Sequence, residues 1–505
     1  MSQNVAKTSA NQASNNARRR SFPGHVRHRM LTRAAVVLTA LVAQLICLQP
    51  VDAESSDRPN IIVIMADDLG FETIGANGGT SYKTPVLDKL ASEGVRFEHC
   101  YSQPICTPSR VKLMSGIYNV RNYAEFGFLE TSQTTFAHLV RDAGYTTCIV
   151  GKWQLGMDAT LPAHFGFDEH CLWQLLRRPS RYPTPGMEVN GEKQGFPLGY
   201  GPDVSTDYAL DFIDRNRDKP FLLYYPMILT HCPFEPTPDS KDWDPQSKGS
   251  KTYKGDAKYF GDMVTYMDKQ VGRILDQLDR VGVRENTLVL FTGDNGTDSP
   301  VVSMFRGRQV AGEKGKTTDG GTRVPLIAHW KGKTVKGQVC NDIVDFSDFL
   351  PTICEAAGAN IRSSLGIDGR SFLPQLLGKT GNPREWIYVW YARNGGPKGR
   401  EFTRNQRYKF YRGGEFYDIK QDVLEKNPLE RNELSTDVQV VYDKLLRALN
   451  QYANARPSKF ANWKENKRKK NAQKKNAQKK NAQKKNAQKK QAQKKQAQKK
   501  TDSPS

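Results

Sequence analysis

Two short apolar runs, each ending in carboxylates, restrict what this 505-residue chain can fold into more than any other feature. Arg58-Pro59-Asn60 leads into Ile61-Ile62-Val63-Ile64-Met65-Ala66, which stops at Asp67-Asp68-Leu69-Gly70. Thr287-Leu288-Val289-Leu290-Phe291 stops in the same way at Thr292-Gly293-Asp294-Asn295-Gly296. A continuous apolar run bounded by proline and glycine predicts a short buried strand. Open α/β sheets place their ligand sites beyond the carboxyl ends of strands, so Asp67, Asp68, Asp294 and Asn295 can be delivered to one place. Four oxygen-bearing side chains make a hard donor set, suited to Ca²⁺ or Mg²⁺ and poorly suited to Zn²⁺. Taken singly, each cluster also reads as a helix cap or a solvated turn.

The stretch from Pro59 to about Ala357 alternates strand-like and helix-like patterns. In residues 259–280, Met263, Met267, Val271, Ile274, Leu275 and Leu278 recur at spacings of three and four, the stripe of a helix packed on a sheet. That rhythm predicts a mostly parallel or mixed sheet covered on both faces. Residues 171–205, rich in Pro, Gly, Arg and Tyr, read as a long loop over the strand ends and the candidate for substrate specificity. Arg177, Arg178 and Arg181 within it can meet an anionic sugar, although solvation is the more ordinary reading. After Gly378-Lys379-Thr380-Gly381-Asn382-Pro383 the character changes to alternating aromatic strands, such as Trp386-Ile387-Tyr388-Val389-Trp390-Tyr391, with a helix from about Val438 to Ala453.

Four further segments carry chemistry: Cys106-Thr107-Pro108-Ser109-Arg110, Gly151-Lys152-Trp153-Gln154-Leu155-Gly156, Thr230-His231-Cys232-Pro233, and Glu313-Lys314-Gly315 with Gly320-Gly321-Thr322-Arg323-Val324-Pro325. Together with the two acidic strand ends, in this order, they resemble the type I sulfatases of the alkaline-phosphatase superfamily. The resemblance spans roughly residues 58–455. It implies an α/β fold, a large mixed, mostly parallel sheet between helices, with a small C-terminal antiparallel sheet and helix. It also implies that Cys106 is oxidised to formylglycine, whose hydrated form attacks a sulfate ester. Asp67, Asp68, Asp294, Asn295 and the modified Cys106 would then bind Ca²⁺ or Mg²⁺. Arg110 would anchor the nucleophile, Lys152 and Lys314 would bind sulfate, and His231 would protonate the leaving oxygen; Lys316 is a weaker counterpart of Lys314. Those residue types suit the reaction, because fixed cations and oriented donors stabilise charge spread over sulfate oxygens and histidine is the usual proton donor near neutral pH.

One position departs from the family pattern. Gln154 stands where the family has the histidine held to assist deprotonation of the second hydroxyl as sulfate is expelled. Glutamine accepts or donates a hydrogen bond but does not take that proton. Another base, slower turnover, or a non-catalytic anion-binding protein would each accommodate it; the retained nucleophile, metal ligands, lysines and His231 favour an adapted enzyme. A phosphomonoester or phosphonate hydrolase of the same superfamily is the other alternative, against which stands the lack of residues for a second metal.

The formal charge of +22 resembles a nucleic-acid signature until it is divided along the chain. Residues 1–53 carry +6 and residues 459–505 carry +16, which leaves residues 54–458 neutral. The first segment reads as an export signal: arginines precede the apolar stretch Ala34 to Leu48, and Val51-Asp52-Ala53 offers small residues for cleavage. That stretch is short for a stable membrane span. The predicted division is a signal peptide at 1–53, a catalytic domain at 54–380, a C-terminal subdomain at 381–458 and a tail at 459–505. Export would place Cys100, Cys148, Cys171, Cys232, Cys340 and Cys354 in an oxidising compartment, as three disulfides or as buried thiols. The expected partners are a sulfated small molecule or glycan and an enzyme that matures Cys106. Residues 471–500 are six pentapeptides, four Asn-Ala-Gln-Lys-Lys and two Gln-Ala-Gln-Lys-Lys. With no apolar side chain beyond alanine and like charges at i, i+4, the tail is expected to be a disordered polycation, either functionless or tethering the protein to an anionic polymer.

Overall fold

A computed structural model describes residues 58–250 and 255–501. The proposed signal segment therefore lies outside the described residues. In chain order the strands are β1 Asn60–Ala66, β2 Val95–Tyr101, β3 Thr146–Lys152, β4 Glu169–Trp173, β5 Gly186–Val189, β6 Glu192–Gly195, β7 Phe221–Pro226 and β8 Thr287–Gly293. They continue with β9 Val302–Phe305, β10 Arg308–Ala311, β11 Leu326–Trp330, β12 Gln338–Asp345, β13 Ile387–Tyr391, β14 Arg400–Arg404, β15 Tyr408–Tyr411 and β16 Phe416–Asp418.

Ten strands form one sheet in the order β12-β2-β11-β8-β1-β7-β3-β4-β5-β6. β1 lies at its centre, parallel to both β7 and β8. The pairs β3 with β7, β3 with β4 and β2 with β12 are also parallel, whereas β11 and the β5–β6 edge run antiparallel. Alternation along β1 explains why the run is apolar throughout. Ile61, Val63 and Met65 face a layer containing the helices Cys106–Ser115, Phe136–Asp142 and Phe349–Ala357. Ile62, Ile64 and Ala66 face the helices Pro85–Glu93, Gly201–Arg215 and Phe260–Arg280. The three-layer α/β fold expected from the rhythm of the sequence is thus present.

The second sheet, β13-β14-β15-β16, is antiparallel, and the helix Thr436–Asn450 packs on it. Its Tyr388, Trp390 and Phe410 belong to the same buried cluster as Val63 and Trp153, so the two sheets share a core.

Two expectations need correction, and one left open is decided. Residues 171–205 are not one long loop, because β5 and β6 extend the sheet edge there and pin the segment in register. Of the two readings left open for the cysteines, buried thiols hold: the seven among the described residues are all free and buried. The tail is helical over Trp463–Thr501 rather than disordered. Alanine, glutamine and lysine have high intrinsic helix propensity, which offsets the lysine repulsion. The start of that helix is also fixed to the body: Phe460 is fully buried and Trp463 packs on Phe128 with ring centroids 5.4 Å apart. No described helix is long and apolar enough to cross a membrane.

Candidate active site

Ala66 pairs with Gly293 at the ends of β1 and β8, so Asp67 and Asp294 leave the sheet side by side. Asp68 takes a positive φ of 62°, which turns the chain and lets its amide donate to Asp294 Oδ1 at 3.0 Å. Asn295 donates through Nδ2 to Asp68 Oδ1 at 2.8 Å and to the Gly296 carbonyl at 2.9 Å. All four side chains are fully buried. Three carboxylates without solvent repel one another strongly, and the surrounding cations answer that repulsion.

Each cation comes from a different element. Lys152, at the end of β3, donates to both Asp67 oxygens at 2.8 and 2.7 Å. Arg110, one helical turn after Cys106, donates to Asp294 Oδ2 at 3.1 Å and to the Lys152 carbonyl at 2.9 Å. Lys314 donates to Asp68 and approaches His231 Nε2 at 3.3 Å. Arg181 lies 3.5 Å from Asp67.

The titration directions follow from this packing. Burial alone would raise the Asp67 carboxyl, but Lys152, His231 and Arg110 outweigh it and hold it well below the usual range. Asp294 is pushed up to about 7 by burial and by the negative charge of Asp67. Asp68 is raised by burial against the opposing charge of Lys314. Burial lowers His231 well below its ordinary value, with Arg181 adding to the effect.

Cys106 opens the helix Cys106–Ser115, which is buried along its whole length. Ser109 Oγ accepts from the Gln103 amide at 3.0 Å and donates to the Ile105 carbonyl at 3.0 Å, fixing the turn that presents Cys106. The thiol donates to Gln154 Oε1 at 2.9 Å, and burial pushes its pKa up. The predicted residues Asp67, Asp68, Cys106, Arg110, Lys152, Gln154, His231, Asp294, Asn295 and Lys314 therefore meet in one place. Lys316 does not: it pairs with Glu313 at the surface.

The donors suit a divalent cation. Ligand atoms of Asp67, Cys106 and Asp294 lie within 4.8 Å of one another, as do those of Asp67, Asp68 and His231. Asn295 Oδ1 is buried without a hydrogen-bond partner, a defect that an oxygen-seeking ion would repair.

Above the acidic floor is a cavity of about 580 Å³ lined by Cys106, Gln154, His231 and Lys314, with Phe126, Arg178, Arg181, Tyr391 and Arg393 among its walls. Arg181 was read as part of a solvated loop, but it is only 5% exposed and stacks on Trp173 at 4.2 Å. The aromatic residues around it were the available signal. Arg178 lines the cavity and Arg177 is exposed outside its lining. Phe126, Tyr391 and Arg393 come from distant segments and carried no local signature.

Residues 59–359 match the family model described as Sulfatase, and residues 314–454 match that described as N-sulphoglucosamine sulphohydrolase, C-terminal. Arylsulfatase A of Bos taurus is 31% identical over 428 residues, covering 75% of this chain and 80% of its own. The crystal structure of Ps i-CgsB in complex with k-i-k-neocarrahexaose superposes with a TM-score of 0.66 at 26% identity, covering 79% of this chain and 94% of its own. The phosphonate monoester hydrolase of Agrobacterium radiobacter shares the fold, with a TM-score of 0.57 at 20% identity over 78% of this chain and 96% of its own. With the matched model spanning more than half the chain, and the same acidic strand ends meeting a cysteine-led helix, the chain belongs to the sulfatase family of the alkaline-phosphatase superfamily and is a sulfuric ester hydrolase.

Proposed function

We propose that this sulfatase removes sulfate from a carbohydrate, using a formylglycine made from Cys106 and a divalent cation, Ca²⁺ or Mg²⁺. The observation that carries the reading is the position of Cys106. It begins a buried helix at the cavity floor, its Sγ grouped with Asp67 and Asp294 and its solvent side open to the cavity. Position 106, once converted by a maturation enzyme, would supply the attacking oxygen as a hydrated aldehyde. Asp67, Asp68, Asp294, Asn295 and the converted Cys106 would hold the cation, which supplies positive charge for a sulfate oxygen and for the nucleophile.

The chain's own residues do the remaining work. Arg110 holds Asp294 and the end of β3 together, fixing the helix that carries position 106. Lys314, which lines the cavity, would bind a sulfate oxygen, and Lys152, buried on Asp67, would add fixed positive charge to the floor. His231 Nδ1 donates to the Cys232 carbonyl, which leaves Nε2 directed at Lys314 and the cavity. An anionic ester beside the ring opposes the shift caused by burial, so Nε2 can hold a proton for the departing oxygen. Gln154 accepts a hydrogen bond from position 106 and orients it without acting as a base.

Support for a carbohydrate comes from the oligosaccharide bound by Ps i-CgsB and from Phe126, Tyr391, Arg178 and Arg393 around the cavity mouth. Aromatic faces and arginines suit a ring bearing anionic groups. The leader at 1–53 supports export, and the divisions at 54–380 and 381–458 are proposed on the same sequence grounds.

The test combines mass and turnover. Protein from a host able to convert the cysteine should yield a Cys106 peptide about 18 Da lighter than the thiol form, release sulfate from an aryl sulfate, and lose that activity in Cys106→Ala or after chelation. Sulfate release unaffected by both treatments would refute the reading.

A further inference from the structure

One surface segment is shared by the active-site cavity and the basic tail. On its inner side, Phe126 lines the cavity with Cys106 and Gln154. The Gly127 amide donates to Thr107 Oγ1 at 3.1 Å, and the Leu129 amide donates to the Leu155 carbonyl at 3.1 Å. The segment thus touches the residues that follow both Cys106 and Gln154. On its outer side the interleaved residues Glu125, Phe128 and Glu130 hold the root of the tail. Lys467 pairs with Glu125, Trp463 packs on Phe128 at 5.4 Å, and Lys459 reaches Glu130 at 3.3 Å.

From that root the helix Trp463–Thr501 extends for 39 residues. At 1.5 Å per residue this is about 58 Å. Residues 471–500 contain twelve lysines and no acid, and residues 464–490 are exposed throughout. A five-residue repeat turns by about 140° per step on a helix, so the lysines cover all sides instead of forming a protein-docking stripe. The body at 54–458 is formally neutral, so the net positive charge of the chain beyond residue 53 resides in residues 459–505.

We propose that the lysine-rich helix is a substrate-capture arm, and that the physiological substrate is a polymeric, multiply sulfated polysaccharide gathered at the cavity mouth. The inference rests on the sulfatase reading and adds to it the substrate's size and charge. A polymer with many sulfates releases counter-ions along the whole arm, while one sulfate of the same chain enters the cavity. A monosaccharide sulfate gains nothing from such an arm. Duplex DNA would bind the lysines, but it presents no sulfate ester to the floor and is held there less well.

The test measures inhibition of aryl sulfate hydrolysis by dextran sulfate at about 50 mM and about 0.5 M salt, on either side of strong screening. It uses the full chain, a chain ending at Lys470 that keeps Trp463 and Lys467, and a full-length variant with the twelve repeat lysines changed to glutamine. At low salt, both variants should need at least about tenfold more dextran sulfate for equal inhibition. The difference should vanish at high salt, and inhibition by a sulfated monosaccharide should be the same in all three. Unchanged aryl sulfate turnover shows that the variants are folded and reports separately on the sulfatase reading. Equal inhibition of all three proteins at low salt would overturn the proposal, and duplex DNA inhibiting as strongly as dextran sulfate would overturn the assignment to polysaccharide.

Discussion

Replacing Lys314 with methionine separates a sulfate-binding lysine from a mere counter-ion. Its ammonium touches Asp68, lies 3.3 Å from His231 Nε2 and 3.9 Å from Asp298, and its side chain is 16% exposed towards the cavity. Methionine keeps the bulk of the chain and removes the charge. Asp68 then loses its nearest cation but keeps the Asn295 amide at 2.8 Å and Lys152 nearby. The folding cost should therefore sit near the lower end for a broken buried pair, about 3 kcal/mol. If Lys314 also binds the sulfate as charge develops, kcat/KM falls further, by the 10²–10³ typical of losing one such donor, or about 3–4 kcal/mol. Steady-state hydrolysis of an aryl sulfate and denaturant unfolding of the same preparation read the two effects apart. A drop in stability of that size with kcat/KM reduced by less than about tenfold would refute the sulfate-binding role.

Three further expectations follow from the same geometry. Asp268 accepts from the Val86 and Leu87 amides at 2.9 Å, and burial raises its pKa from 3.8 to about 6. A raised carboxyl makes the folded state bind the extra proton, so stability declines as pH rises from about 4 to 6, by about 3 kcal/mol at most; unfolding of Asp268→Asn across that window should lack this slope. Lys112 and Asp345 form an ion pair with no exposure on either side, so Lys112→Met should lower unfolding free energy by about 3–5 kcal/mol, with Lys112→Met/Asp345→Asn recovering part of it. A Cβ on Gly296 would meet the Gly320 carbonyl oxygen at 1.8 Å. Gly296→Ala should therefore cost about 1–3 kcal/mol in a melt and, by displacing Asn295, reduce kcat/KM about 10²-fold.

The site was legible where its chemistry is local. Asp67-Asp68 and Asp294-Asn295 had to end buried strands, because an apolar run between proline and glycine has nowhere else to go, and such ends are where α/β sheets hold ligands. Cys106, Arg110, Lys152, His231 and Lys314 were singled out by the resemblance of their short segments to the sulfatases. The helix Phe260–Arg280 followed from its stripe, and β13, β15 and β16 from their aromatic alternation, whereas β14, Arg400–Arg404, carries a single aromatic residue and was not anticipated. Arg181 was misread because a loop arginine is ordinarily solvated; only the closure of Trp173 over it and its approach to Asp67 reveal a buried charge. The tail was misread because repulsion between lysines was weighed above the helix propensity of its alanines and glutamines.

Sequence by itself determined the buried runs of β1 and β8, the candidate site residues and the charge carried by each region. It could do so because periodicity, propensity and formal charge are properties of neighbours along the chain. Tertiary structure alone decided which cation answers which carboxylate, that Gln154 faces Cys106, that the cysteines stay unpaired, and that Glu125 to Glu130 serve the cavity on one side and the tail on the other. Those facts depend on contacts between residues tens to hundreds of positions apart, which exist only once the sheet has brought them within a few ångströms.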